Sequence, residues 1–524
     1  MKKPETMRYG SNTAMEYHEA TKHSEISLRT SGHYLVWENK PSPFKVYRNL
    51  PSIPLPRDLP HPQEAALKAI RGEIPRKTLK KPDLAVLAEI LYFSAGLTRK
   101  MRFGSEPYYM RAASATGALY PIELYLVSGD IPGLKSGVYH FNPYDFALVE
   151  LRKGDFRSDL AVVSDEPIAS SPFTIVMTSL AWRNAWKYEA RSYRHWFWDS
   201  GVIAVNLSAT CASEGLTCKL ALGFVDSMVD KLLGLEELKE ATVGLAVVGA
   251  GLGPHAQAEH KEIPALHLNI EPLSKEEADY PIIWDAHKAG ELVNQSEVEK
   301  WRQGFKPRLE RLIPVGPVVP LHPLKEEPST PLAEVILRRG SSRRFAQQPI
   351  SFEALSTVLQ ASSVPVPSDF LPEDESLIDF YFIANDIDGL PSGSYYYDQE
   401  TESLEQLKLG KFRSISGYLS LGQPLFSQVS VMFFLTTDLN HVSESFGNRG
   451  YRAAQFEAGV RAGKLYLSSY ALGLGASGST FYDDAVTEFF SPHGEHASPM
   501  IAVGVGVPGY KARPGTILPQ FATR

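Results

Sequence analysis

Cysteine is nearly absent: the 524 residues include only Cys211 and Cys218. A disulfide framework is thereby excluded, and a reducing compartment is the simpler context. The two cysteines read as buried free thiols. Long apolar runs are missing too. The stretch VGLAVVGAGLG (243–253) is among the longest, and it is too short and too rich in glycine to span a bilayer. The opening residues, MKKPETMRYG, lack the apolar centre of a secretory signal. Nor is there an excess of basic charge. Lys and Arg total 53 against 60 Asp and Glu, a net charge of -7, which argues against general nucleic-acid binding. The histidines show no metal-ligand spacing. These absences predict a cytoplasmic protein with no membrane, nucleic-acid or metal partner.

What is present is a repeat. Hydrophobic content of 43% and charged content of 22% are ordinary for a globular chain, and the length calls for more than one core. The stretch GLKSGVYHFNPYDF, from Gly133, matches GLPSGSYYYDQETE, from Gly389. The stretch YRHWFWDSGVIAVNLSATCASEGL, from Tyr193, matches YRAAQFEAGVRAGKLYLSSYALGL, from Tyr451. LAVVGAGLG, from Leu245, matches MIAVGVGVPG, from Met500. The order is the same in both halves, so two homologous domains are expected, 65–270 and 328–524. Residues 1–64 read as an N-terminal extension and 271–327 as a Pro-, Lys- and Glu-rich linker.

Each half has the same local pattern. An amphipathic helix comes first (PDLAVLAEILYFSAGL and ISFEALSTVLQAS), then a β-hairpin alternating with period 2. A long helix with small apolar residues follows, ending at glycine, and a Gly-rich strand closes the unit. Helices and hairpins interleave without regular βαβ units, so the expected class is α+β.

The two halves differ in a complementary way. In the second, Arg339, Ser341 and Arg343 lie at the end of a helical stretch, and Gly340 frees backbone amides there. Two guanidinium forks, a hydroxyl and free N–H groups form a phosphate cradle, and Lys511 and Arg513 add cations after the last strand. The first half keeps Arg71 but places Glu73 and Pro75 at the other two cradle positions, and Ala256 and Ala258 after its last strand. In the middle motif the loss is reversed. Ser114, Gly117 and Pro121 of RAASATGALYPIELY correspond to Phe370, Glu373 and Leu377 in the second half, an acidic and bulky loop.

These motifs resemble the nitroreductase-like flavoprotein superfamily, and within it the SagB and thiazoline-oxidase type dehydrogenases. The resemblance covers roughly residues 65–515. It implies two nitroreductase-like domains, each with a mainly antiparallel sheet flanked by helices, fused as an internal pseudo-dimer. It also implies FMN at the interface. Arg339, Ser341, Arg343, Lys511 and Arg513 would hold its phosphate, and Ser477, Gly478 and Ser479 would lie along the ring. Ala113, Ser114, Ala115 and Gly117 would cover the ring from the first domain, although Ala113 stands where proline is usual. The reciprocal losses predict one FMN per chain. Lys187 and Tyr188 match a Lys-Tyr pair of azoline oxidases, and the second half lacks it. A lysine near a flavin and apolar neighbours suits a base, and tyrosine suits a proton donor or relay.

The expected activity is FMN-dependent dehydrogenation of a heterocyclic or peptide-derived substrate, with O2 reoxidising the flavin. Two other readings stay open: an NAD(P)H-dependent nitro or quinone reductase, and a flavin-free scaffold. Substrate, electron partner, any biosynthetic partner protein and further oligomerisation stay open as well.

Overall fold

The computed structural model describes residues 10, 12–73, 81–103, 106–164, 167–256, 263–308 and 314–511. Two seven-stranded sheets dominate it, each wholly antiparallel. In spatial order the first runs Ser52–Pro54, Ala147–Lys153, Gly137–Asn142, Ile122–Ser128, Phe173–Leu180, Glu240–Val248 and Cys218–Ala221. The second repeats this order with Val318–Pro320, Ser403–Leu409, Gly393–Asp398, Asp379–Ala384, Val431–Thr437, Ser498–Gly506 and Gly475–Ser479. Ile122–Ser128, Phe173–Leu180 and Glu240–Val248 are buried at every residue, so both faces of the sheet are covered. The fold is α+β, as the interleaved pattern predicts.

A pair of long helices joins the repeats, Ser192–Ser213 from the first and Leu439–Ala471 from the second. They cross at Gly201 and Gly459, which occupy the same place in the two repeats. A Cβ on Gly201 would stand 2.5 Å from the Phe456 carbonyl oxygen, and one on Gly459 would stand 2.6 Å from that of Trp198. Glycine inside a helix is unfavourable by about 1 kcal/mol, and here it permits backbone-to-backbone contact.

Two buried ion clusters flank this crossing. Arg191 and Arg194 of the first repeat donate to Asp483 of the second, at 2.9 and 2.8 Å. Arg449 and Arg452 of the second donate to Asp226 of the first, at 2.6 and 2.7 Å. The pairs are related by the same pseudo-twofold relation as the two glycines. All six residues are buried.

The segments outside 65–270 and 328–524 follow the same symmetry. The helix Thr13–Ala20 places His18 Nδ1 3.3 Å from the Tyr451 hydroxyl. The helix Pro281–Ala289 places His287 Nδ1 3.4 Å from the Tyr193 hydroxyl. Ser52–Pro54 and Val318–Pro320 extend the same edge of their respective sheets. The stretches read as extension and linker thus supply equivalent elements to the two halves.

Two small sheets have no counterpart in the other repeat among the described residues, one of them Ile350–Ser351 with Ile387–Asp388 in the second half. The hairpin Leu97–Phe103 with Glu106–Arg111 belongs to the first half alone. Its Arg99 reaches the end of the second-half helix Leu332–Arg338 and donates to the carbonyls of Leu337, Arg338 and Arg339 at 2.9, 3.2 and 3.4 Å. These are orphan acceptors at a helix C-terminus, and a cation suits them.

Candidate active site

The cradle sequence RGSSRRF leaves the Leu332–Arg338 helix and runs beside the strand Gly475–Ser479. Ser342 donates its backbone N–H to the Ala476 carbonyl at 2.8 Å. The Ser341 hydroxyl lies 3.3 Å from that of Tyr466, which also takes the Gly478 N–H. The Arg343 N–H donates to the Tyr510 hydroxyl at 3.2 Å. The Arg343 side chain is exposed and has no acidic partner among the described residues. Lys511 is likewise exposed. Arg513 lies outside the described residues.

Arg339 departs from the expected cradle. Its guanidinium is buried and donates to the carbonyls of Ala112 and Arg111, both at 3.1 Å. It ties the second-half cradle to the Ala113–Gly117 loop of the first half and spends those donors on backbone oxygens. Ser477 is buried, Gly478 is exposed and Ser479 is partly exposed. The Ser479 hydroxyl accepts from the Gln423 amide at 3.2 Å.

Opposite stand Lys187 and Tyr188, at the end of the helix Ala181–Tyr188. The Lys187 ammonium sits 5.2 Å from the Tyr188 ring centre and has no carboxylate partner among the described residues. Burial lowers its pKa, and the nearby charges of Arg343 and Lys40 lower it further. Burial and Asp199 push the Tyr188 phenol well above its ordinary value. Gly117, at φ 63°, packs against that phenol, and a Cβ there would lie 2.5 Å from the hydroxyl oxygen. Arg339 thus touches the first-half loop, and the Arg343 charge acts on both Lys187 and Tyr188, which brings parts of the two expected sets together.

The backbone after Tyr188 is strained. Glu189 has φ 49° and ψ -142°, a region essentially reserved for glycine. The second half has Gly447 there, at φ 59° and ψ -153°. Glu189→Gly should therefore stabilise the protein by about 1 kcal/mol, the strain relieved less the entropy glycine adds to the unfolded chain. Urea denaturation checks this, and a lower midpoint would refute it.

The related place on the other side of the pseudo-twofold is closed. Leu220, on the strand matching Gly475–Ser479, bridges to Ser368, with its N–H donating to Pro367 at 2.8 Å. Asp369 accepts from the N–H groups of Leu222 and Gly223 at 2.8 and 2.9 Å and pairs with Arg302 at 2.9 Å. Phe370 is buried against Trp301. Arg71, the counterpart of Arg339, is held by Glu73 and Glu327, both at 2.8 Å.

A narrow crevice under the Ala113–Gly117 loop shows the same asymmetry. It is lined by Ala95, Arg111, Ser114, Asp199 and Ile203 and has room for about one water. In the second half Arg461 stands at the place of Ile203. Its guanidinium reaches the carbonyls of Ser362 and Ser363, and Lys464 donates to Val364 at 2.6 Å.

Sequence reasoning passed over Asp199, Tyr466 and Tyr510. Asp199 had a signal: the aligned long helices place Glu457 opposite it, an acid in both repeats.

Comparison with known proteins agrees with this architecture. The nitroreductase family model matches residues 76–250 and again 336–507. The chain belongs to the nitroreductase family. A solved nitroreductase-type protein from Anabaena variabilis shares the fold across nearly the whole molecule, covering 95% of this chain and 99% of its own, with a TM-score of 0.75 at 24% identity. The trifolitoxin-processing protein TfxB of Rhizobium leguminosarum bv. trifolii is 28% identical over 174 residues, 32% of this chain and 47% of TfxB. The microcin B17-processing protein McbC of Escherichia coli is 28% identical over 128 residues, 23% of this chain and 47% of McbC. The chain therefore spans about half the length of these two relatives. As a nitroreductase-family protein with such relatives, it is of oxidoreductase type. Among its described residues no helix is long and apolar enough to cross a membrane.

Proposed function

We propose that this protein is an FMN-dependent dehydrogenase with one flavin per chain, acting on a heterocycle within a peptide-derived substrate. The observation that carries the reading is the asymmetry of the repeats: the second keeps Arg343 and Lys511 exposed, whereas on the first-half side Arg71 is held by Glu73 and Glu327 and residues 367–370 cover the matching strand. The exposed residues of the second half fit the cofactor. Arg343 and Lys511 supply cations for a phosphate, and neither makes an ion pair among the described residues. Gly478 is exposed and presents no side chain, which suits the approach of a flat ring. Arg339 would act by fixing the loop, and Arg513 would add charge.

Bound FMN supplies two-electron chemistry through its N5 atom. The chain itself would handle the proton. Lys187, its pKa lowered by burial and by Arg343, suits removal of the C–H or N–H proton as a hydride leaves the substrate. Tyr188, its phenol kept protonated, suits hydrogen-bond donation to the reacting ring. The names of TfxB and McbC support a peptide-derived substrate.

The first experiment is flavin released per chain. One FMN per chain, lost almost completely in Arg343→Ala, is the expected result. Two per chain would overturn the plugged-site account, and none after reconstitution would favour a scaffold.

A further inference from the structure

Asp199 lies on the first central helix, beneath the Ala113–Gly117 loop. Its carboxylate accepts from the Thr116 N–H at 2.9 and 3.1 Å and from the Thr116 hydroxyl at 2.8 Å. The next residue, Gly117, packs on the Tyr188 hydroxyl. A chain of direct contacts therefore runs from Asp199 through Thr116 and Gly117 to Tyr188.

The second repeat is an internal control. Glu457 occupies the corresponding place and holds the corresponding loop, accepting from Ser376 Oγ at 2.7 Å and from the Leu377 N–H at 2.9 Å. There Arg461 also pairs with the acid, at 2.9 Å. In the first repeat Ile203 replaces that arginine, so Asp199 has no cationic partner of this kind. An acid at this helix position thus holds the preceding loop in both halves, at Thr116 in the first and nearer the strand in the second, and only the first half leaves it without the arginine.

We infer that Asp199 is a positioning residue, a carboxylate latch on Thr116 that sets the Ala113–Gly117 loop and, through Gly117, the stance of Tyr188. The inference rests on the proposed reading of the cleft for its functional meaning, but the latch itself does not. Burial pushes the Asp199 carboxyl up to about 7, against the lowering effect of its Thr116 bonds. The groups around it are Thr116 on the loop, Asn184 and Tyr188 on the preceding helix, Tyr120, and Arg111 across the crevice. Arg111 donates to the carbonyls of Pro43 and Ile122, at 2.7 and 3.4 Å. The ionised latch accepts at both oxygens, whereas the protonated one gives up an acceptor. Because burial outweighs this and raises the carboxyl, the closed loop favours the protonated acid, so the loop is held less firmly as pH rises from about 4 toward about 7.

Hydrogen exchange on the full chain, corrected for intrinsic rates, reads the latch with or without flavin. In the wild type, amide protection over 114–118 should fall between about pH 5 and 7 and level off above that. Asp199→Asn should abolish that fall. Asp199→Ala should lower protection by roughly 3- to 10-fold near pH 5, as expected for loss of neutral hydrogen bonds. Asp199→Glu should recover part of it, since Glu457 does the same work in the second repeat. If Asp199→Ala fails to fold, Thr116→Val removes the hydroxyl contact and should lose part of the protection. Unchanged protection in the Ala or Val variant, or a fall with pH that survives in the Asn variant, would overturn the latch. Failure of the wild type to take up FMN would instead refute the cofactor reading and leave the exchange result standing.

In protein that does hold FMN, the Ala variant should shift the visible flavin band and the Glu variant should restore it.

Discussion

Asp483→Ala is expected to destabilise the protein by about 3–5 kcal/mol, the usual cost of stranding a buried charge. The carboxylate lies between Arg191 at 2.9 Å and Arg194 at 2.8 Å, and it also accepts from the His23 N–H at 2.8 Å. Its loss would leave two buried guanidinium groups with only neutral acceptors: the carbonyls of Thr21 and His18 and the hydroxyls of Thr480 and Thr21. Burial alone would push the Asp483 carboxyl up, but the two arginines overcome it and hold it well below the ordinary carboxylate range. A depressed acid stabilises the folded state above its unfolded pKa of about 4, and that contribution fades as pH falls further. The variant should therefore show a lower urea midpoint at neutral pH and a smaller loss on acidification than the wild type. Equal midpoints at neutral pH would show that the cluster contributes little to joining the repeats.

Lys187→Met is expected to slow substrate oxidation by about 10²- to 10⁴-fold while leaving bound flavin in place. Methionine keeps much of the apolar volume beside Tyr188 and removes the amine. The pH profile should change too. Only the neutral amine accepts a proton, so the wild-type rate should climb as pH rises through the lowered Lys187 pKa. That limb should vanish in the variant. Single-turnover bleaching of the flavin by a synthetic thiazoline-containing peptide measures both effects. Bleaching of the variant at the wild-type rate, with the same pH profile, would remove Lys187 from the chemistry. If the wild type also leaves the peptide unoxidised but is bleached by NADPH, a reductase becomes the better reading.

The repeat was legible in the sequence because Tyr193 and Tyr451 open nearly colinear helices, and the strands keep their spacing. The symmetry of the outer segments was not. Thr13–Ala20 and Pro281–Ala289 share little beyond the placement of His18 and His287, whose tyrosine partners lie far away in sequence. The cradle motif drew attention to Arg343 and Arg339 together but gave no sign of the Arg339 contacts with the Ala112 and Arg111 carbonyls. Spacing reports which cations are close along the chain and says nothing about carbonyls arriving from the other repeat. The plug was foreshadowed by the bulk and acidity around Phe370. Its attachment was not, since Asp369 binds Leu222 and Gly223 across the pseudo-twofold.

The pairing of Ile203 with Arg461 has a consequence for how such a protein diverges. In a dimer of identical subunits, one codon change alters every copy of a position. An arginine that sealed one place would seal its twin as well. Once both copies share a chain, each position is inherited separately. One half could then accept Arg461, Lys464 and Phe370 while the other retained Ile203, Asn206 and Ser114. The tether also removes protein concentration from the assembly of the site, since neither half can be diluted away from the other. Gene fusion thus exchanges a spare active site for freedom to specialise.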